Sequence, residues 1–198
     1  MKGKLFVMSG PSGTGKGTVC KQLLNRDESL SLSVSATTRE KRVGETEGET
    51  YFYVSIDDFK SMISNDEMLE YAQYNGNYYG TPKHAVQKLI NEGRDVLLEI
   101  EPQGALQVKK IFPEAVLIFL IPPSMKELKN RLILRARESE EEIEQRITAA
   151  KWEMEQADKY TTIIVNDGLD NCVNDVLDYI NIKRKENIII NNLINENV

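Results

Sequence analysis

Residues 5–18 constrain the chain more than any other stretch. Four apolar residues, Leu5-Phe6-Val7-Met8, lead through Ser9 into Gly10-Pro11-Ser12-Gly13-Thr14-Gly15-Lys16-Gly17-Thr18, and from Thr18 the apolar spacing turns helical. A short buried strand, a glycine-rich loop and a helix in that order make a socket for phosphate. Glycines permit positive φ, so successive amide N–H groups can point inward. The helix N-terminus adds a favourable dipole, and Lys16 stands where an ammonium group reaches β- and γ-phosphates. The spacing is GxxxxGK, with Gly17 where the general pattern has Ser or Thr. A hydroxyl follows one place later at Thr18, so either Thr18 or no side chain directly serves a Mg2+ ion. Gly10, Pro11, Ser12, Gly13, Thr14, Gly15, Lys16, Gly17 and Thr18 are the candidate ATP-binding residues.

Apolar periodicity predicts what surrounds this loop. Leu30, Leu32, Val34 and Ala36 alternate with polar residues, a period of two that predicts one strand over 30–36. Residues 96–100, 115–121 and 161–165 are apolar on both faces, as strands are in a parallel sheet covered by helices. Helices fit between them at 82–92, 104–111, 124–137, 140–158 and 169–185. Thr81-Pro82 predicts an N-cap followed by a first-turn proline. Ser124-x-x-Glu127 and Ser139-x-x-Glu142 read as capping boxes. The expectation is an α/β fold with about five mostly parallel strands flanked by helices.

Residues 39–80 interrupt this repeat with tyrosines, glycines and acidic residues. They predict an inserted, mostly antiparallel subdomain with strands at 51–53 and 69–74 and a helix at 56–63. Residues 187–198 hold five asparagines and four isoleucines, which predicts a frayed helix end or tail.

Charge and rare residues narrow the function. Lys and Arg number 25 against 31 acidic residues, a net charge of −6. That balance argues against a chain that coats nucleic acid or an anionic membrane, while leaving room for a local basic pocket. Cys20 and Cys172 form no CxxC pair, and His84 stands alone, which removes zinc knuckles and multi-histidine metal sites. No window approaches the ~18 apolar residues of a membrane span. The expectation is a soluble, cytoplasmic enzyme or binding module.

The acceptor motifs are more specific. They are Ser33-Val34-Ser35-Ala36-Thr37-Thr38-Arg39-Glu40-Lys41-Arg42, then Gly44-Glu45, then Gly76-Asn77-Tyr78-Tyr79-Gly80-Thr81. On these segments the chain resembles the guanylate kinases, and the likeness runs from the phosphate loop to Val165-Asn166-Asp167. The resemblance implies the P-loop NTPase fold, with a core of 1–33, 84–125 and 147–187. It implies a GMP-binding subdomain at 34–83, a helical lid at 126–146 and a tail at 188–198. It also implies that Arg39, Arg42, Tyr51 and Tyr79 hold the GMP phosphate, while Ser35, Glu70, Thr81 and Glu101 address the guanine.

Residue chemistry agrees with those assignments. Two arginines three apart and two phenolic hydroxyls suit a phosphate monoester. Guanine presents N1–H and N2–H2 donors beside the O6 acceptor, so a carboxylate and a hydroxyl complement it. Phosphoryl transfer needs positive charge around the moving group. By resemblance Arg135 and Arg146 supply it, with Arg131 also a candidate, and Lys16 and Arg42 complete the catalytic set. Asn166 is assigned beside the adenine by the same likeness.

Two departures stand out. Glu99-Ile100-Glu101 replaces the Asp-Ile-Asp the family often carries, and Arg135-Ala136-Arg137 replaces an Arg-Gly lid. The implied reaction is ATP + GMP ⇌ ADP + GDP with Mg2+, with dGMP as a second acceptor, in a monomer or homodimer. Two other readings are a guanylate-kinase-like module that holds phosphopeptides, and a kinase for another phosphorylated acceptor such as a ribose bisphosphate. The intact glycines and Lys16 speak against the first, and Glu70 with Thr81 against the second.

Overall fold

The computed structural model describes residues 2–134 and 140–195. In chain order its strands are β1 (Leu5–Ser9), β2 (Leu30–Leu32), β3 (Ser35–Thr37), β4 (Tyr51–Tyr53), β5 (Met68–Tyr74), β6 (Asn77–Pro82), β7 (Asp95–Glu99), β8 (Val116–Ile121) and β9 (Thr162–Val165). Its helices are α1 (Lys16–Arg26), α2 (Ile56–Ser64), α3 (Lys83–Asn91), α4 (Pro102–Ile111), α5 (Met125–Leu134), α6 (Glu140–Met154) and α7 (Leu169–Asn195), with a 3-10 turn at Ala157–Lys159. Two compact units result: Met1–Ser9 with Glu28–Leu117, and Gly10–Asp27 with Ile118–Val198. Among the described residues no helix is long and apolar enough to cross a membrane.

The first unit holds two sheets. In one, β1 and β2 flank β7, all parallel, with Leu5 against Val96 and Leu30 against Asp95. Phe6, Val7 and Leu97 are wholly buried here, as strands covered on both faces must be. The other sheet has the order β4-β3-β6-β5. Its β3–β4 pair is parallel and its β3–β6 and β5–β6 pairs are antiparallel. Ala36, Phe59 and Met68 form the small core beneath it.

In the second unit β8 and β9 run parallel, with Ile118 opposite Thr162 and Val165 opposite Ile121. Leu128 and Leu132 of α5 pack with Ala150 and Ile147 of α6, which puts Ile147 and Ala150 on the packing face of α6. The five strands of the parallel set, three in one unit and two in the other, were all expected, but β9 is not covered on both faces as its apolar run implied, since Ile163 and Val165 are exposed.

Three local expectations are corrected. Residues 30–36 are not one strand. Ser33 N–H still donates to the Leu97 carbonyl at 3.0 Å, and two residues later Ser35 pairs with Tyr51 in the other sheet. Alternation survives such a jump because it records which side chains are buried, not which strand the backbone joins. Thr81 does not cap α3 either. Its hydroxyl donates to Glu70, and Pro82 itself occupies the N-cap position with φ −65° and ψ 126°. Finally, α7 continues to Asn195 rather than ending near residue 185, since extending a helix already nucleated costs little even for asparagine and isoleucine. The Ser124 box is half formed: Glu127 N–H donates to Ser124 Oγ at 3.1 Å. The Ser139 box lies outside the described residues.

Candidate functional site

The phosphate loop belongs wholly to the second unit. Gly15 sits at the N-cap of α1 in the left-handed region, φ 92°, with no side chain capping the helix. The first-turn N–H groups are therefore left for another acceptor. The loop is locked in place from below. Thr14 N–H and Thr14 Oγ1 both donate to the Pro11 carbonyl, at 3.2 and 2.8 Å. Asn166 Nδ2 donates to the Thr14 carbonyl at 2.8 Å, and a Cβ on Gly15 would stand 2.8 Å from the same amide nitrogen. A side chain at residue 15 would thus strain the backbone and break the Asn166 contact.

Lys16 is buried and folds back over the loop, donating to the carbonyls of Gly10 at 2.6 Å and Pro11 at 3.3 Å. An ammonium held at the loop's mouth by neutral carbonyls is ready to exchange them for phosphate oxygens. Arg146 reaches the same loop, its Nη1 donating to Ser12 Oγ at 2.9 Å. Arg131 is engaged differently. Its Nε pairs with Glu127 and its Nη2 donates to the Asn166 carbonyl, each at 3.0 Å, so it steadies the residue that steadies the loop. Arg135, expected to supply charge to the moving phosphoryl group, lies outside the described residues, as does Arg137. Thr18 is in the first turn of α1 with its side chain exposed, and Gly17 beside it is exposed too.

The residues expected to bind the acceptor belong wholly to the first unit. Arg39 Nη2 donates to Glu45 Oε1 at 2.7 Å, its Nη1 donates to the Glu40 carbonyl at 2.6 Å, and the guanidinium lies over the Tyr51 ring, 5.5 Å from its centroid. Glu45 gathers the cluster: Tyr53 Oη donates to it at 2.7 Å and Arg42 N–H at 2.8 Å. The Arg39 guanidinium, seconded by the Arg42 amide and Tyr53, holds the Glu45 carboxyl down to about 2. Arg39 is raised in turn, first by its bond to Glu45. Tyr51 stands edge-on to both Tyr53 and Tyr79, with centroids 6.0 and 6.2 Å apart. Arg39, Tyr51 and Tyr79 are thus brought together, while the Arg42 side chain stands exposed at the rim.

Glu45 and Tyr53 were not among the expected site residues. Glu45 was in view, in the Gly44-Glu45 motif, but a carboxylate in a phosphate cradle gives no sequence signal of its use as a brace.

Beside this cluster is a recess of about 130 Å3 lined by Ser33, Ser35, Thr50, Tyr51, Thr81, Leu98 and Glu99. Glu70 is 6% exposed and stands directly opposite Thr81 in the β5–β6 ladder, whose hydroxyl donates to Glu70 Oε1 at 2.7 Å. Burial pushes the Glu70 carboxyl up, while its bonds to Thr81 pull the other way. The pairing shifts register between Met68 and Glu70, a bulge that leaves Leu69 as the extra residue. Bulges re-aim side chains beside sites. Glu101 caps the N-terminal end of α4 through its backbone and is exposed. Glu99, one methylene longer than aspartate, is exposed and lines the recess. Among the described residues no cluster of three or more His, Cys, Asp or Glu gathers as a metal site.

Known proteins resemble this chain along most of its length. The family model described as guanylate kinase matches residues 2–183. The guanylate kinase of Caldanaerobacter subterraneus subsp. tengcongensis is 52% identical over 172 residues, covering 87% of this chain and 84% of that protein. That of Clostridioides difficile is 47% identical over 194 residues, covering 96% and 95%. The crystal structure of guanylate kinase from Anaplasma phagocytophilum superposes with a TM-score of 0.70 at 33% identity, covering 93% of this chain and 86% of that one.

Proposed function

The chain belongs to the guanylate kinase family, ATP-dependent enzymes that phosphorylate GMP to GDP, and from that membership we propose how its own residues divide the reaction. It is a nucleoside monophosphate kinase with the P-loop NTPase fold. In the transfer an oxygen of the GMP phosphate attacks the γ-phosphorus of ATP. The bond from that phosphorus to the β–γ bridging oxygen breaks, and GDP and ADP leave. The attacking phosphate is already a nucleophile, so no side chain has to remove a proton. What remains is alignment and charge neutralisation.

Lys16 exchanges its loop carbonyls for the β- and γ-phosphates, and the uncapped first turn of α1 donates its N–H groups beside it. Arg146, held at Ser12, and Arg135 add positive charge to the phosphoryl group in flight, and Asn166 lies beside the adenine. The cation these kinases use is, in this reading, Mg2+. The donor set fits it, because magnesium bound to nucleotide phosphates keeps several waters and needs few protein ligands. Thr18, with its exposed hydroxyl on the first turn, is the side chain that would hold it. Bound there, the ion would neutralise phosphate charge.

On the acceptor side Arg39, Arg42, Tyr51 and Tyr79 take the GMP phosphate, with Glu45 holding Arg39 in place beforehand. Glu70 accepts from guanine N1–H and N2–H2, Ser35 and Thr81 address O6, and Glu101 seconds Glu70. Residues 34–83 act as the acceptor-binding subdomain, 126–146 as the lid, and dGMP serves as a second acceptor. Neither nucleic acid nor membrane enters this scheme, and two buried cysteines outside any disulfide suit a reduced cytoplasm.

The buried Glu70–Thr81 pair beside an arginine–tyrosine cradle carries this reading, because a desolvated carboxylate on a hydroxyl is costly unless a ligand completes its bonding. A coupled ADP-release assay tests it. ADP should form only when GMP or dGMP is added with ATP and Mg2+. Tight binding of a phosphoserine peptide with no GMP-dependent ADP release would overturn it.

A further inference from the structure

Helix α4 meets the β5 strand at the bulge that aims Glu70. Residues 101, 104 and 107 recur every three positions, and residues at that spacing are neighbours on one helix face. Gly104 is buried, and a Cβ built on it would stand 2.8 Å from Glu70 Oε2 and 3.4 Å from both its carboxyl carbon and Cγ. Its φ is not positive, so the backbone there suits any residue. Glycine inside a helix is also a poor choice on propensity. Contact with the carboxylate is the reason left for a bare Cα.

One turn on, Gln107 pairs with the main chain of the residue after Glu70. Tyr71 N–H donates to Gln107 Oε1 and Gln107 Nε2 donates to the Tyr71 carbonyl, both at 3.2 Å. β5 ends its sheet, so this side-chain amide stands where another strand's peptide group would. It adds one rung at the irregular point of an edge strand, where the ladder alone specifies position weakly.

We propose that α4 positions the guanine reader: Gly104 leaves the space into which the Glu70 carboxylate turns, and Gln107 holds the main chain from which it springs. Glu70 Oε1 is fixed by Thr81 and Oε2 is bounded by Gly104, so the carboxylate keeps one orientation toward the base. Both α4 residues are positioning residues, acting through Glu70. The inference rests on Glu70 reading guanine, and its test separates the two ideas.

Gly104→Ala, Gln107→Leu and Glu70→Gln are compared by kcat/KM for GMP and for IMP, which lacks N2, and by KM for ATP. A displaced reader should raise KM for GMP about tenfold or more in Gly104→Ala. The GMP-over-IMP ratio should fall while KM for ATP stays fixed, since the phosphate loop is untouched. Gln107→Leu, on a half-buried residue, should move the ratio the same way by less, and keeps the test open if Gly104→Ala fails to fold. Adding Gly104→Ala to Glu70→Gln should leave the ratio where Glu70→Gln alone put it. A ratio that collapses in Glu70→Gln but is unchanged in both α4 variants overturns the positioning role alone. A ratio unchanged in Glu70→Gln overturns the guanine-reader reading and the proposal with it.

Discussion

At the scale of single residues, two buried charges set the chemistry. Lys16 is held by loop carbonyls that, on the proposed reading, a nucleotide phosphate replaces. Lys16→Ala removes charge that matters most in the transition state, so kcat should fall by about 10²–10³ with the fold intact. Steady-state kinetics and a thermal melt check both parts. Glu70 is raised by burial, so the folded protein holds this proton up to a higher pH than the unfolded chain does. That contribution to stability is full below the ordinary carboxylate range and is lost as pH rises through the folded value. On the proposed reading binding runs the opposite way, because the ionised form accepts from guanine. Affinity for GMP should therefore weaken as pH falls, starting above the range of a free glutamate. The acceptor's own phosphate titrates near pH 6, at about the value of other phosphate monoesters. It does so in wild type and Glu70→Gln alike, so the difference between their pH profiles isolates the carboxyl. Identical profiles would remove Glu70 from the binding step. Glu45 is the opposite case: held down to about 2, it stays ionised and keeps bracing Arg39 through that acid range.

At the scale of elements, what was legible depended on whether the signal was local. The phosphate loop was fully written in the sequence, because glycine spacing, a preceding strand and a following helix are all local. The parallel strands β7 and β8 were written too, as runs apolar on both faces, whereas β9 carries such a run but leaves Ile163 and Val165 exposed. The strand expected over 30–36 was not one strand, since Ala36 is buried in a second small core and its alternation cannot say so. Thr81-Pro82 looked like a helix start, but cross-strand pairing with Glu70 took the threonine hydroxyl. Asn166 was placed near the adenine by likeness alone, whereas its amide also ties the end of β9 to the phosphate loop. Asn166→Ala leaves the Thr14 carbonyl without that partner. The expected cost is about 1–3 kcal/mol of stability. KM for ATP should rise and KM for GMP should stay put, which melting curves and two-substrate kinetics resolve.

At the scale of the whole molecule, the proposed assignment gives each nucleotide its own unit. The donor residues described here fall in Gly10–Asp27 and Ile118–Val198, and the acceptor residues in Met1–Ser9 and Glu28–Leu117. Sequence order hides this division, because the loop at 10–18 follows β1 without a break yet packs with α5 and Asn166. The net charge of −6 gives no sign of the basic residues in either unit, Lys16 and Arg146 in one and Arg39 in the other, because they are few against the acidic total. The central claim is that a buried carboxylate–hydroxyl pair makes this kinase a reader of guanine. The most direct measurement is kcat/KM with GMP, IMP and AMP at fixed ATP and Mg2+. AMP offers a bare N1 acceptor to Glu70 and an amino donor where O6 should be, so both contacts turn from paired to unpaired. A site built to hydrogen-bond rejects such an analogue by about 10⁴ or more. IMP loses only the N2 contact, about 1.5–3 kcal/mol for a charge-assisted bond. The expected order is GMP, then IMP, then AMP; equal use of GMP and AMP would contradict the account.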